Sequence, residues 1–234
     1  MVEARYDSVA DFYEAGWPDA YDDDVSITLF DLIGSLDDST VLDLGCGHGR
    51  MSRELARRGA HVVGIDISSA LLEKARALEA SEPLAIDYRY GDAASSAVLK
   101  GQVFDAVVCS MALPDIDDFE GAISTIAQAL KPGGFVVFSL LHPCFPGAEQ
   151  VSGSWPASKR YYDEGWWSAD GESSTLRRRV GANHRMLSTY VNALVQHGFA
   201  LDELREPRPP EEWTRTNPEA ATHPVFVVAR FTKP

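Results

Sequence analysis

Nine consecutive residues constrain the fold of this chain more than any other stretch: Val41-Leu42-Asp43-Leu44-Gly45-Cys46-Gly47-His48-Gly49. The apolar lead, interrupted only by Asp43, reads as a buried strand. The glycines read as a tight turn whose backbone must approach a ligand, and the residues from Arg50 onward as a helix. Strand, glycine turn and helix N-terminus in that order form the entry to a nucleotide-type site at the carboxyl edge of a parallel sheet.

Two ligand classes compete for such a turn. A dinucleotide site wants G-x-G-x-x-G, with the pyrophosphate on the positive helix end. Here the place of its third glycine is held by Arg50, and an acid two residues before Gly45 suits a pyrophosphate poorly. That acid, Asp43, suits a ligand with a cationic ammonium and sulfonium, which it would meet with charge-assisted hydrogen bonds or a favourable field. The turn is therefore expected to hold S-adenosylmethionine, with a nicotinamide dinucleotide as the disfavoured alternative.

Downstream, strand and helix alternate. A helix runs from Arg50 to a stop at Gly59. His61-Val62-Val63-Gly64-Ile65-Asp66 is a second buried strand, and its terminal acid, 21 residues past Gly45, is placed to accept both hydroxyls of a ribose. Ser68 or Ser69 caps a helix with an inward stripe of Leu71, Leu72, Ala75 and Leu78. A strand near Leu84 to Tyr90 ends in Gly91-Asp92-Ala93; Asp92 is placed to accept from an adenine amine, with Ala93 offering its backbone. Val103 to Ser110 is the fourth strand and Met111 to Asp115 its exit loop. Asp117 with Glu120 reads as a capping box for a helix carrying Phe119, Ala122, Ile123, Ile126 and Leu130 inward. Lys131-Pro132-Gly133-Gly134 stops it, and Phe135 to Leu141 is a fifth, apolar strand. Five such alternations predict an α/β, doubly wound parallel sheet.

The flanks differ. Residues 5 to 36 read as two helices, with Tyr6, Val9, Phe12 and Tyr13 on one face of the first, and residues 1–37 are expected to form a helical lid from which Tyr6 or Tyr13 points a hydroxyl into the site. Residues 142–183 break the alternation and hold Phe145, Trp155, Tyr161, Tyr162, Trp166 and Trp167. They form either a satellite core or a cap that walls off an acceptor pocket. Helix resumes near His184 and stops at Gly198, and strands at 199–204 and 225–231 close a single domain, 1–234.

In this order, VLDLGCGHG, the strand ending at Asp66, Gly91-Asp92-Ala93, Phe104-Asp105-Ala106-Val107-Val108 and Leu130-Lys131-Pro132-Gly133-Gly134 resemble the class I S-adenosylmethionine-dependent methyltransferases of small molecules. The resemblance implies a Rossmann-like sheet of seven strands, mostly parallel, the last antiparallel. It also implies cofactor contacts at Asp43, Gly45, Cys46, Gly47 and His48 around the methionine end and at Asp66 and Ile67 for ribose and adenine. Asp92 and Ala93 fall at the adenine, Ser110 and Met111 beneath the sulfonium, and Tyr13 in the lid. The exit loop Ser110-Met111-Ala112-Leu113-Pro114 departs from the Asn/Asp-Pro-Pro-Tyr of amino-methylating DNA enzymes.

Methyl transfer is an in-line displacement at an activated carbon, so the protein supplies proximity, orientation and a dry site. A base helps where the acceptor is a hydroxyl or acidic carbon. His142 and His184 are the candidates, with Tyr161, Tyr162 and Glu164 behind them. The expected activity is methylation of an O, N or C nucleophile on a partly apolar or aromatic small molecule; the alternative is a catalytically silent binding or scaffold protein. A formal charge of -14 disfavours a phosphate backbone as partner, and Arg177-Arg178-Arg179, the one dense basic run, reads as a solvated strand or loop, with an anion-binding role as the alternative. Three cysteines, no signal peptide and no membrane-length apolar run lead to the expectation of a soluble, cytoplasmic protein with reduced thiols, monomer or homodimer, and no metal-ligand spacing stands out.

Overall fold

The computed structural model describes residues 4–16, 21–145, 160–169, 175–209, 211–216 and 218–234. A 3-10 turn at Arg5–Val9 leads into α1 (Ala10–Ala15) and then α2 (Asp24–Ile33). The alternating stretch follows: β1 (Thr40–Leu44), α3 (Arg50–Arg57), β2 (His61–Asp66), α4 (Ser69–Ser81), β3 (Asp87–Tyr90), β4 (Phe104–Ser110), α5 (Phe119–Ala129) and β5 (Leu130–Leu141). The inserted region holds β6 (Gly165–Trp167), α6 (Thr175–Val180) and β7 (Ala182–His184). The chain ends with α7 (Leu187–Gln196), β8 (Ala200–Arg205), α8 (Glu211–Thr216) and β9 (Phe226–Thr232).

Seven strands form one sheet in the order β3-β2-β1-β4-β5-β9-β8, with β9 antiparallel to both neighbours, as the resemblance implied. Side chains alternate across a pleated sheet, so each buried strand feeds two cores. Leu42, Val63, Val107, Val136 and Phe231 sit in register across five strands and pack, with α5 and α7, on one face. Val41, Val62, Ala106, Val108, Val137 and Val228 face α2, α3 and α4 on the other. The three cysteines are free thiols, Cys46 and Cys109 being buried. No helix of the described residues is long and apolar enough to cross a membrane.

Local expectations shift where tertiary partners claim a residue. The N-cap of α5 is Asp118, which accepts the Gly121 N–H at 2.9 Å, because Asp117 is engaged by Arg5 and Asn183. β3 starts only at Asp87, since Glu79 accepts the N–H groups of Leu84 and Ile86 and Ala85 has a φ of 60°. β5 starts early: Leu130 pairs with Phe104, and the ladder shifts register before Ala106 to absorb the Pro-Gly-Gly stretch. His184 belongs to a strand, paired with Gly165, and α7 begins at Leu187, where Glu164 accepts the Met186 N–H and the Tyr161 hydroxyl the Leu187 N–H. Arg177 to Arg179 are helical, not strand or loop; Arg178 and Arg179 are solvated as expected, while Arg177 is buried.

Two of the sequence marks are structural. Asp105 accepts from the Thr40 N–H and hydroxyl and from Lys131 at 2.7–2.9 Å. The Lys131 and Thr40 hydrogen bonds hold its carboxyl at about 2. This cluster ties the starts of β1, β4 and β5 at the edge opposite the site.

Candidate cofactor and acceptor site

The site grows from the β1–α3 turn. Gly45, Gly47 and Gly49 have φ of 80°, 56° and 85°, a region that glycine enters without steric cost. A Cβ on Gly45 would lie 2.4 Å from the Ala112 Cβ, and one on Gly49 2.3 Å from the Tyr88 hydroxyl. The turn is thus pressed against the β4 exit loop on one side and β3 on the other. Gly45 and Cys46 donate to the Ile65 carbonyl. Asp66, at the end of β2, accepts the Gly47 and Ser68 N–H groups, each at 2.8 Å, locking the two adjacent turns together. Burial raises the Asp66 pKa against these hydrogen bonds.

A cleft of about 860 Å³, its mouth included, opens over this edge. Gly45, Gly47, Asp66, Ile67, Asp92, Ala93, Ser110 and Met111 line it, and Tyr6 and Tyr13 of the N-terminal segment stand across from them. A continuation of about 390 Å³ shares Tyr13, Gly45, Ser110 and Met111 and adds Asp43, Cys46, His48 and Arg50. Every residue expected to touch the cofactor borders one space or the other. Asp43 is 1 % exposed and accepts the Ser52 hydroxyl at 2.5 Å; burial pushes its carboxyl up to about 7. His48 meets Tyr13 edge-on at 5.8 Å, and burial lowers its pKa. Arg50 stacks on Tyr21.

The far wall is an ionic network that spacing did not reveal. Arg5 grips both Asp117 oxygens, at 3.0 and 2.9 Å, and donates to the Asp115 carbonyl at 2.7 Å. Asp115 accepts from Tyr6 at 3.0 Å and from Arg177, which also donates to the Gly181 carbonyl. Burial first, and the Asp115 charge second, push the Tyr6 phenol well above its ordinary pKa, so Tyr6 is a neutral donor. Asn183 and Arg185 hold the same loop from the inserted region. The N-terminal segment, the exit loop and residues 177–185 are therefore joined around the cleft by residues 62 to 112 positions apart.

The base candidates separate. His142 is buried, with Nε2 2.9 Å from Glu206 and Nδ1 accepting the Cys144 N–H, and it borders none of these spaces. Burial lowers its pKa, Glu206 opposing. Tyr162 is 79 % exposed and lies outside them too. His184 borders a third space, beneath the insertion, beside Met111, Leu141, Trp167, Arg185 and Tyr190. Its Nε2 donates to the Tyr161 carbonyl at 2.8 Å, which in the neutral ring leaves Nδ1 as the basic nitrogen. Phe145 packs with Ala220 and Val225 in a small separate core, and Trp167 lines this space. Trp155 lies outside the described residues. No cluster of metal-ligating side chains occurs among the described residues.

A doubly wound sheet with a glycine turn and buried carboxylates closing β1 and β2 defines an α/β protein that binds a nucleoside-bearing ligand at its carboxyl edge. A methyltransferase-domain family model matches residues 42–138. The ubiquinone biosynthesis O-methyltransferase of Chromobacterium violaceum is 34 % identical over 184 residues, 76 % of this chain and 78 % of that protein. Its namesake in Alkalilimnicola ehrlichii is 38 % identical over 110 residues, 47 % of this chain and 44 % of that one, so the match spans under half the length of that relative. The crystal structure of an S-adenosylmethionine-dependent methyltransferase from Mesorhizobium loti superposes with a TM-score of 0.71 at 29 % identity, covering 89 % of this chain and 97 % of that one. The chain belongs to the class I S-adenosylmethionine-dependent methyltransferases, and S-adenosylmethionine is the cofactor this membership implies.

Proposed function

We propose that the protein transfers a methyl group from S-adenosylmethionine to an oxygen of a small-molecule acceptor seated beneath the insertion. The observation that carries this reading is Met111. It borders the cleft, the continuation and the space beneath the insertion, and so stands where cofactor and acceptor would meet. Its φ of 59° is unusual for a residue with a side chain and is fixed by its N–H donating to the Ser139 carbonyl at 2.8 Å. The oxygen nucleophile follows the O-methyltransferase names of the relatives; the acidic chain and the exit loop favour a small molecule over nucleic acid.

The residues fit the cofactor. Glycines that cannot carry a Cβ leave its approach open; Asp43 would hold the methionine ammonium, Asp66 the ribose hydroxyls, and Asp92 and Ala93 the adenine. When bound, S-adenosylmethionine supplies a methyl carbon activated by its sulfonium. The chain contributes geometry and dryness. Tyr6 and Tyr13 cover the cleft, and the Arg5, Arg177 and Arg185 network fixes residues 113–117 against it, which orients the acceptor and excludes water. His184, which borders the acceptor space, is the residue assigned to take the proton that a hydroxyl acceptor gives up. A silent scaffold would need no acceptor space, and the space beside Met111 speaks for the enzyme.

Formation of S-adenosylhomocysteine from S-adenosylmethionine during incubation with small hydroxylated acids and phenols tests the proposal; no turnover with cofactor bound would favour the scaffold. His184→Ala is expected to lower kcat by about tenfold or more while cofactor affinity stays within about twofold. Equal losses in both would make His184 structural.

A further inference from the structure

Taking methyl transfer as the reaction, we infer that the space beneath the insertion is a carboxylate subsite and that the acceptor is an acidic small molecule. Its walls carry the chemistry. Trp167, Leu141, Tyr190 and Met111 supply apolar surface, and Arg177, Asn183, His184 and Arg185 supply polar groups. No Asp or Glu stands among its lining residues, in a chain with 35 acidic side chains against 21 basic ones. The space, about 360 Å³ with its open mouth included, is a narrow one that an acceptor would enter from the mouth.

Two groups on this wall ask for an anionic oxygen. The first is the indole N–H of Trp167, in a residue 4 % exposed, which has no acceptor among the described residues. Native chains leave few buried donors in that condition, and each calls for a partner. The second is Arg185, 9 % exposed. Arg177 has Asp115 as its counter-ion; Arg185 donates to the carbonyls of Leu113, Ile116 and Asp117 at 3.2, 2.7 and 3.2 Å, lies over the Phe119 ring, hydrogen-bonds the Tyr190 phenol and feels the charge of the nearby Asp117 carboxylate. Those acceptors are neutral, as is Tyr190, whose phenol burial pushes up to about 12. A guanidinium carries five donors, so three carbonyls and the Tyr190 oxygen leave one for a ligand. A carboxylate has two oxygens and a full charge, one oxygen for the indole and one for the guanidinium. Met111 and Leu141 beside them direct the rest of the acceptor toward the cleft.

The test is calorimetric titration of the full chain, with S-adenosylhomocysteine present, using benzoate and 3-phenylpropanoate as probes against their primary amides. The expected result is that the acids bind at least about tenfold more tightly than the amides, since a charged acceptor strengthens these hydrogen bonds. Trp167→Phe, which keeps the ring and removes the N–H, and Arg185→Met are each expected to weaken the acids about fivefold or more, and the amides little. Equal binding of acids and amides, no binding of either, or acid affinity unchanged in Trp167→Phe overturns the subsite; that variant decides alone if Arg185→Met does not fold. S-adenosylhomocysteine is titrated separately. Its binding without acid preference removes the subsite and leaves the methyl-transfer reading; acid preference without its binding does the reverse.

Discussion

Asp43, Gly45 and Asp66 show how few residues set a cofactor site. Gly45→Ala would put a Cβ into Ala112 at a φ of 80°. It is expected to lower stability by roughly 1–3 kcal/mol in urea unfolding and to weaken cofactor binding with it; an unchanged midpoint would mean that the exit loop yields. Asp43 makes affinity depend on pH. Its folded pKa of about 7 lies above its ordinary 3.8, so the stability it contributes is fullest below 3.8 and is lost as pH rises through about 7. The cationic methionine end binds the ionised form, so affinity for S-adenosylhomocysteine is expected to rise by up to about tenfold per pH unit below 7 and to level off above it. Calorimetry at pH 6 and pH 8 reads this, and Asp43→Asn should flatten it; an equal slope in the variant would assign the titration elsewhere. These residues were legible because their chemistry is local: a strand, a glycine spacing and a strand-end acid lie within a short window. Arg5, Arg177 and Arg185 were not, because their partners are 62 to 112 positions away and no local period records them.

Among the elements, the β4 exit loop is the joint that the rest of the site depends on. The N-terminal segment reaches it through Arg5 and Tyr6, α6 through Arg177, and β7 through Asn183. Removing one partner of a buried ion pair leaves the other uncompensated. Arg177→Met is therefore expected to cost about 3–5 kcal/mol and to weaken cofactor binding, since Tyr6 and Asp115 both border the cleft. Denaturant unfolding and a cofactor titration check the two effects, and a stable variant with intact affinity would show the network to be incidental. Helices and strands with a clean period were foreseen close to their bounds; their ends moved where Asp117 and Glu164 were recruited by distant groups and where Glu79 took the N–H groups of Leu84 and Ile86. The insertion resisted reading, for its short strands and α6 carry too few residues to show a period.

Across the whole molecule, the sheet order explains where the site lies. β1 and β4 are neighbours whose following helices turn to opposite faces, α3 to one core and α5 to the other. Their exits part at the carboxyl edge and leave a crevice between them, at the point where the strand order reverses. The glycine turn and Met111 sit on its two sides. The match to the family model covers residues 42–138, the stretch that holds β1 to β4 and most of β5 and carries the cofactor cleft. The most direct measurement is parallel calorimetric titration with S-adenosylmethionine, S-adenosylhomocysteine and NAD. Binding of the first two, one per chain, with no heat from NAD is the result expected of Asp43 and Asp66 placed as they are; binding of NAD alone would contradict it.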